Sequence, residues 1–221
     1  MERHRIAIVI PALNEKATIA AVVASASGYG MVVVVDDGSG DETGVLAAAA
    51  GATVVRHDVN RGYDAALNSG FSRASEMNCA YVVTMDADGQ HDPTRLLPFI
   101  RMLDEGADVV VGIRDRRQRL AEHVFAWMGA RKWGIHDPLC GMKAYRMSVY
   151  RELGHFDAYA SIGTELAIYA ASSGKKIMQC AVQTSDRNDQ PRFGKRFSAN
   201  MRILHALWVA LRGGRHARQP N

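Results

Sequence analysis

Nowhere in the 221 residues does an apolar run approach the roughly 20 that a membrane-crossing helix requires, so no part of this chain is expected to span a bilayer. Cysteine is scarce: Cys79, Cys140 and Cys180 are odd in number, far apart and free of metal-ligand spacing. That excludes a disulfide-stapled secreted domain and a zinc module, and all three read as core or near-core thiols of a reduced, cytosolic protein. The eight histidines contain no His-x-x-x-His pair, and only His91 falls beside a stretch of chemical interest. Neither Gly-x-x-x-x-Gly-Lys-Ser/Thr nor Gly-x-Gly-x-x-Gly occurs where a phosphate-loop or dinucleotide site needs it. Aromatic content is 7%, which leaves a nucleic-acid or membrane binding module resting on a basic tail alone. The charged start, Glu2-Arg3-His4-Arg5, runs straight into a strand-like segment and is read as carrying no signal peptide.

What is present is the composition of a soluble globular domain: 48% hydrophobic, 23% charged, and a net charge of +4 weighted toward the end of the chain. One well-buried domain is expected at this length. Ile6–Ile10 is a continuous apolar run read as a central parallel strand, closed by Pro11-Ala-Leu-Asn14-Glu15. There follow a helix from about Ala17 to Ser27, a strand over Met31–Val35, a helix from about Asp41 to Ala50 and a strand over Thr53–Arg56. Tyr63–Met77 has helical spacing, Ala80–Met85 is a buried strand, Pro93 to about Glu105 a helix, and Asp108–Gly112 a strand. That alternation predicts an α/β fold, a mostly parallel sheet with helices on both faces. Beyond Arg114 the rhythm breaks. Leu120–Trp133 reads as a helix, Cys140–Tyr145 as a strand, Ser148–Leu153 and Thr164–Ser173 as helices and Lys176–Thr184 as a strand. Arg187–Arg196 has the composition of a mobile loop, and Ala199–Leu211 forms the last helix.

The chemistry gathers in Tyr81-Val-Val-Thr-Met-Asp86-Ala-Asp88-Gly-Gln-His-Asp-Pro93, a buried run that stops at two carboxylates one residue apart. In extended chain, residues i and i+2 point the same way, so Asp86 and Asp88 can converge on one cation. Hard oxygen donors in small number suit Mg²⁺ or Mn²⁺, with water and phosphate oxygens completing the shell. Asp-x-Asp alone is as often an acidic turn. Gly89 breaks the strand, and Asp92-Pro93 reads as an N-cap and first helical position. Two further acidic loops, Asn14-Glu15 and Asp36-Asp37-Gly38-Ser39, follow strands of the same sheet and are expected on the same rim. Carboxylates crowded there repel one another unless a cation or a donor-rich ligand sits among them. The arrangement calls for nucleotide recognition with a metal-bound diphosphate, Asp36 or Asp37 accepting from a base N–H or ribose hydroxyls.

Taken in order, several stretches carry a resemblance: Val9-Ile-Pro11-Ala12-Leu-Asn14-Glu15, Val34-Val-Asp36-Asp37-Gly-Ser39-Gly-Asp41, Asn60-Arg61-Gly62, Met85-Asp86-Ala87-Asp88-Gly-Gln90-His91-Asp92-Pro93, Val110-Val-Gly112-Ile-Arg114 and Asp137-Pro-Leu-Cys-Gly141-Met-Lys143-Ala-Tyr-Arg146. Together they resemble the family 2 glycosyltransferases, above all the polyprenyl-phosphate sugar transferases of the dolichyl-phosphate mannose synthase kind. The likeness runs on through Glu165, Arg187 and Phe193-Gly-Lys195, nearly the whole chain. It implies a GT-A fold, a GDP- or UDP-hexose donor and transfer with inversion. It also implies a single domain with a donor half over 1–115, an acceptor-side half over 116–195, and a carboxyl-terminal helix and basic tail over 196–221. By match of motif, Pro11, Ala12, Asn14, Glu15, Asp36, Asp37, Ser39, Asp86 and Ala87 hold the nucleotide, and Asp86 and Asp88, joined by Gln90, hold the metal. Three departures stand out: Gly40 where the family has Thr, an extra carboxylate in Tyr63-Asp64, and no carboxyl-terminal membrane spans.

The acceptor decides how much base catalysis is needed. A sugar hydroxyl must lose its proton as it attacks, and Glu165 and Asp137 are the candidate bases. A phosphate monoester, with a second pKa of about 6, is already largely dianionic and needs cations instead. Arg114, Arg131, Arg187 and Lys195 are the candidates for that phosphate. Asp88, Glu165, Asp137 and Arg114 therefore form the expected catalytic set, with a polyprenyl phosphate as first acceptor and a glycan hydroxyl as runner-up. In the last helix, Phe197, Met201, Leu204, Leu207, Trp208 and Leu211 recur at helical spacing. They fit an interfacial helix on an anionic membrane, or a helix packed on its own domain or across a homodimer. The expected place is the cytoplasmic side, peripheral on the membrane's inner face, with no nucleic-acid partner. A haloacid-dehalogenase-type phosphatase also ends a strand in Asp-x-Asp, but it wants Thr where Gln90 stands and leaves Asp36-Asp37-Gly-Ser unexplained. A sugar-phosphate nucleotidyltransferase needs a Gly-rich basic loop where this chain has Pro11-Ala-Leu-Asn-Glu.

Overall fold

The computed structural model describes residues 5–89, 93–117, 119–183 and 196–213. Strands β1 (Ile6–Ala12), β2 (Met31–Asp36), β3 (Thr53–Arg56), β4 (Tyr81–Thr84), β5 (Val109–Arg114), β6 (Lys143–Arg146) and β7 (Ile177–Val182) form one sheet in the order β3-β2-β1-β4-β6-β5-β7. All neighbours pair in parallel except at β6, which runs antiparallel to β4 and β5. The sheet is therefore mixed after the point where the βα rhythm broke in the sequence.

Helices α1 (Ile19–Ala26), α2 (Thr43–Ala49), α3 (Tyr63–Glu76), α4 (Leu96–Asp104), α5 (Leu120–Trp133), α6 (Met147–Leu153), α7 (Glu165–Ser172) and α8 (Arg196–Gly213) cover both faces. The continuous apolar strands follow from this double cover. Ala7, Val9 and Val33 face one core with Phe71, Phe125, Phe156 and Leu207, while Ile6, Ile8, Ile10 and Val34 face the other with Phe99 and Leu103. Helix α3 lies close on β1: a Cβ on Gly70 would come within 2.3 Å of Val9 Cγ1, so only glycine permits that approach.

Element ends differ from expectation by a few residues, for physical reasons. Helix α1 begins at Ile19, because the Glu15 carbonyl accepts both Thr18 N and Ile19 N in a turn ahead of it. A 3₁₀ turn over Pro93–Arg95 precedes α4, and Pro98 sits in the first turn of α4, where its missing N–H has no intrahelical partner to lose. Asp92, expected as the cap, lies outside the described residues. Strand β5 runs on to Arg114 because β7 pairs with it to the end.

Chain order reverses across β1 and β4: β2 lies on one side of β1 and β4 on the other. The crevice at the carboxyl ends of strands flanking such a reversal is where open α/β sheets take ligands. Here it is bounded by the segments after Ala12 and after Thr84.

Candidate active site

Three loops meet at that crevice, as the sequence requires, and side chains stitch them together. Ser39 Oγ accepts the Asn14 N–H at 3.0 Å, Thr43 Oγ1 the Glu15 N–H at 2.7 Å and Asp41 Oδ2 the Lys16 N–H at 3.3 Å. Asn14 adopts a left-handed φ of 54°, which Asn tolerates, and its Oδ1 accepts the Gly40 N–H at 2.9 Å. On the other side, Thr18 Oγ1 donates to the Ala87 carbonyl at 2.8 Å, fixing the β4 loop to the start of α1. Pro11 is partly exposed at the end of β1, whereas Ala12, Glu15, Ser39 and Ala87 are buried.

Asp36 and Asp37, two of the expected nucleoside contacts, are engaged by the chain itself. The Asp36 side chain is fully buried, its Oδ1 accepts the Ser39 N–H at 2.9 Å, and its Oδ2 lies 3.3 Å from Arg56 Nη1. Asp37 is also buried: its Oδ1 faces His57 Nδ1 at 2.6 Å and accepts the Arg61 N–H at 2.9 Å, while Oδ2 accepts the Gly62 N–H at 2.8 Å. Gly62, at φ 92°, is the N-cap of α3, so Asp37 shapes the turn that launches that helix. Both carboxylates help build the loops, although Asp36 Oδ2 has no hydrogen-bond donor among the described residues and only the Arg56 charge beside it. Amide donors and the Arg56 guanidinium thus offset part of the acidic crowding at this rim.

Asp86 and Asp88 follow the end of β4, both only partly buried. Glycine makes room for the first of them: a Cβ on Gly141 would lie 2.6 Å from Asp86 Oδ2. Thr84 Oγ1 holds Gly141 there by donating to its carbonyl at 2.6 Å. Two partly exposed carboxylates with a side-chain-free wall beside them are the donor set a hard divalent ion takes when phosphate oxygens and water supply the rest. No cluster of three or more His, Cys, Asp or Glu that could enclose a metal exists among the described residues. An all-protein cage is thus not on offer there. Gln90 lies outside the described residues.

On the acceptor side Asp137, a candidate base, is engaged with Arg114. Its carboxylate grips Arg114 in a fork, with Nε–Oδ2 at 2.8 Å and Nη2–Oδ1 at 2.9 Å, and also accepts the Arg114 backbone N–H at 3.1 Å. Glu122 stands 3.5 Å from the same guanidinium. Burial alone would pull the Arg114 pKa down, but the Asp137 hydrogen bond and charge outweigh it and the net shift is upward. A base must present an oxygen to the acceptor hydroxyl, and both oxygens of Asp137 are already engaged by Arg114. Arg114 in turn is largely committed before any phosphate arrives. Glu165, first residue of α7, contacts His155 Nε2 at 2.8 Å and accepts the Ala158 N–H at 2.6 Å. Glu165 thus ties the loop before α7 to the start of that helix. Arg131 is exposed in the last turn of α5. Arg187 and Lys195 lie outside the described residues.

Behind Asp86 lies a group that motif matching did not single out. Lys143 of β6 is 3% exposed, and its Nζ donates to the carbonyls of Cys140 at 2.6 Å and Gly163 at 3.1 Å. Burial lowers its pKa, and the charge of Asp86 is among the influences opposing that. Gly163 belongs to a loop in which Ala160 (φ 54°), Ile162 (φ 58°) and Gly163 (φ 66°) are all left-handed, a costly state for a β-branched residue. Asp157 holds the loop by accepting Tyr159 N and Ser161 N, each at 3.1 Å, and the Ser161 hydroxyl. Asp64 accepts the Gly163 N–H at 2.7 Å, so the extra carboxylate noticed in the sequence is a loop anchor. Burial, then the charge of Asp157, raises its pKa to about 6. The available signal was Lys143 itself, a cation inside the apolar run Leu139–Tyr145.

A crevice at the reversal point of a mixed seven-stranded sheet is a ligand site of the open α/β kind, and the comparisons say which family it belongs to. The chain belongs to the glycosyl transferase family 2, whose sequence profile matches residues 7–154. It is 30% identical over 200 residues to an uncharacterized glycosyltransferase of Mycobacterium tuberculosis, covering 85% of this chain and 88% of that one. It is 31% identical over 212 residues to the polyprenol monophosphomannose synthase of Mycolicibacterium smegmatis, covering 83% and 78%. A match to an uncharacterized protein of Methanocaldococcus jannaschii, 38% identical over 117 residues, spans 52% of this chain and only 48% of that one. Among solved structures, glucosyl-3-phosphoglycerate synthase from M. tuberculosis in complex with Mn²⁺ and uridine-diphosphate-glucose superposes with a TM-score of 0.75, at 26% identity over 94% of this chain and 79% of that one. The fold is GT-A. No helix among the described residues is long and apolar enough to cross a membrane.

Proposed function

We propose that this protein transfers a hexosyl group, with inversion, from a nucleoside diphosphate sugar to a polyprenyl phosphate at the face of a membrane. The observation that carries the acceptor class is the state of the two candidate bases. Asp137 is locked to Arg114, and Glu165 is bound to His155 and the Ala158 amide. An acceptor that arrives ionised, as a phosphate does near neutral pH, makes a strong base dispensable. The likeness to polyprenol monophosphomannose synthase supports the same reading.

In this reading residues 1–115 bind the donor and 116–195 face the acceptor. The nucleoside lies against Pro11–Glu15 and the neighbouring β2 loop, whose shape Asp36 and Asp37 maintain. Asp86 and Asp88 hold Mg²⁺ or Mn²⁺. When bound, the ion supplies positive charge to the departing diphosphate. The loop after Asp157, clamped by Lys143 and Asp64, walls the acceptor side and keeps water from the anomeric carbon. The acceptor oxygen attacks that carbon from the face opposite the leaving group.

A second reading, a small phosphorylated acid as acceptor, is favoured by the likeness to glucosyl-3-phosphoglycerate synthase. The test is incubation with Mn²⁺ or Mg²⁺, UDP- and GDP-hexoses, and either undecaprenyl phosphate or phosphoglycerate. A lipid-extractable, acid-labile glycosyl phosphate is expected. Sugar appearing only on phosphoglycerate would establish the second reading. Phosphate release from an aryl phosphate without any glycosyl transfer would return the haloacid-dehalogenase alternative.

A further inference from the structure

Tyr63 opens α3 directly after the Asn60-Arg61-Gly62 turn, and two loops fix where it sits. Asp37 accepts the Arg61 and Gly62 N–H groups at 2.9 and 2.8 Å, which ties this end of the helix to the donor-side loop after β2. The next residue, Asp64, accepts the Gly163 N–H at 2.7 Å and ties the same helical turn to the acceptor-side loop. The Tyr63 ring touches that loop as well: a Cβ on Gly163 would lie 3.3 Å from Tyr63 Cε1. Packed against the core of Leu67, Phe71 and Phe156, the ring is half-buried and held in place.

The hydroxyl at its tip has no such commitment. No hydrogen bond joins it to another described residue, and it is not one of the buried polar atoms left without a partner, such as Tyr145 Oη. It therefore opens on the crevice. Burial, then the charges of Asp86 and Asp64, push its pKa well above the ordinary value, so the phenol keeps its proton and lies within reach of the Asp86 carboxylate. Tyr63 thus has Asp86 on one side and the Gly163 loop on the other. With the diphosphate on an ion at Asp86 and the acceptor beyond that loop, the group that must lie between them is the transferred hexosyl.

Charge separates the hexosyl from the other possible partners of this hydroxyl. Asp64 and Asp157 repel one another beneath the loop, and burial together with that repulsion brings the Asp64 pKa to about 6. The nearby Lys143 ammonium is directed at the carbonyls of Cys140 and Gly163. Such surroundings disfavour a dianionic phosphate and accept a neutral hydroxyl. We propose that the Tyr63 hydroxyl donates a hydrogen bond to a hydroxyl of the donor's hexosyl group, and so selects the sugar by the presence and configuration of that hydroxyl. The proposal rests on the donor reading above and concerns the sugar, not the nucleotide, the metal or the acceptor.

The test is calorimetric titration of wild type and Tyr63→Phe, both with Mn²⁺, using UDP and GDP alone and then UDP-glucose and GDP-mannose. The variant should bind the preferred nucleotide sugar about 3–10-fold more weakly and the matching nucleotide as wild type does. Its unfolding midpoint should stay within about a degree or two, since no hydrogen bond within the protein is lost. With donors lacking one hexose hydroxyl at a time, wild type should show that same loss of about 3–10-fold for one analogue, and Tyr63→Phe should show none for it. Equal weakening of nucleotide and nucleotide sugar, or of neither, overturns the proposal and leaves the donor reading standing. So does a variant whose only change is a higher KM for the acceptor, or one that unfolds early because the hydroxyl holds the fold. Wild-type protein that binds no nucleotide with Mn²⁺ present overturns the donor reading itself, and this proposal with it.

Discussion

Replacing Asp137 with Asn separates a structural acid from a catalytic one. Asp137 is 1% exposed, and three N–H groups of Arg114 converge on its two oxygens. An Asn keeps one acceptor but turns an NH₂ toward a guanidinium that has only donors. Breaking a buried pair by removing one partner costs about 3–5 kcal/mol. Arg114 is one-fifth exposed and keeps Glu122 at 3.5 Å, so the lower end applies, about 3 kcal/mol. Against a total stability of about 5–15 kcal/mol that is a large loss, well within reach of urea unfolding followed by circular dichroism. Asp137→Asn should therefore shift the unfolding curve strongly. Where the variant is still folded, transfer should fall by less than about tenfold, well short of the 10²–10⁴ that a missing base produces. An Asp137→Asn protein as stable as wild type and slowed by 10² or more would refute this reasoning and restore Asp137 as the base.

Three further outcomes follow from the geometry. Asp64 has its pKa raised from 3.8 to about 6, so its contribution to stability is full below about pH 4 and is lost as pH rises through about 6. Two units correspond to about 3 kcal/mol, and partial exposure roughly halves that. Urea unfolding at a series of pH values should show wild type losing about 1–2 kcal/mol relative to Asp64→Asn between pH 4 and 7, and a pH-independent difference would count against the assignment. Glu165→Gln should keep transfer within about tenfold of wild type, because Gln still accepts the Ala158 N–H; a loss of 10²–10⁴ in kcat would mark a general base and overturn the phosphate acceptor. Gly141→Ala should weaken Mn²⁺-dependent UDP binding by about 10–100-fold in a calorimetric titration, since the added methyl meets Asp86 Oδ2; unchanged affinity would show that Asp86 is not a metal ligand.

Much of the donor side was legible because its signals are local. Apolar β-branched runs ending in acids announce parallel strands and their rim, and the loops after Ala12, Asp36 and Thr84 do meet there. The direction in which each acid points was not legible. Asp36 and Asp37 turn inward to amides supplied by Ser39, Arg61 and Gly62, and these contacts exist only once the loops have closed. Beyond Arg114 the partners are farther apart in sequence and the reading failed more often. No pattern of types pairs Arg114 with Asp137, sets Asp64 against Gly163 N, or bonds the Lys143 ammonium to the Gly163 carbonyl. The antiparallel β6 was hidden for the same reason: Lys143–Arg146 is four residues long, and its orientation comes from the return path of α5.

The claim on which the account turns is that Asp86 and Asp88 grip a divalent ion that in turn grips a diphosphate. Titrating UDP and GDP into the protein calorimetrically, with Mn²⁺ and then with chelator, tests it directly, alongside a folded Asp88→Asn variant. The account predicts nucleotide binding that requires the metal and is abolished by the substitution. Binding of equal strength with chelator present, or undiminished in Asp88→Asn, would contradict it.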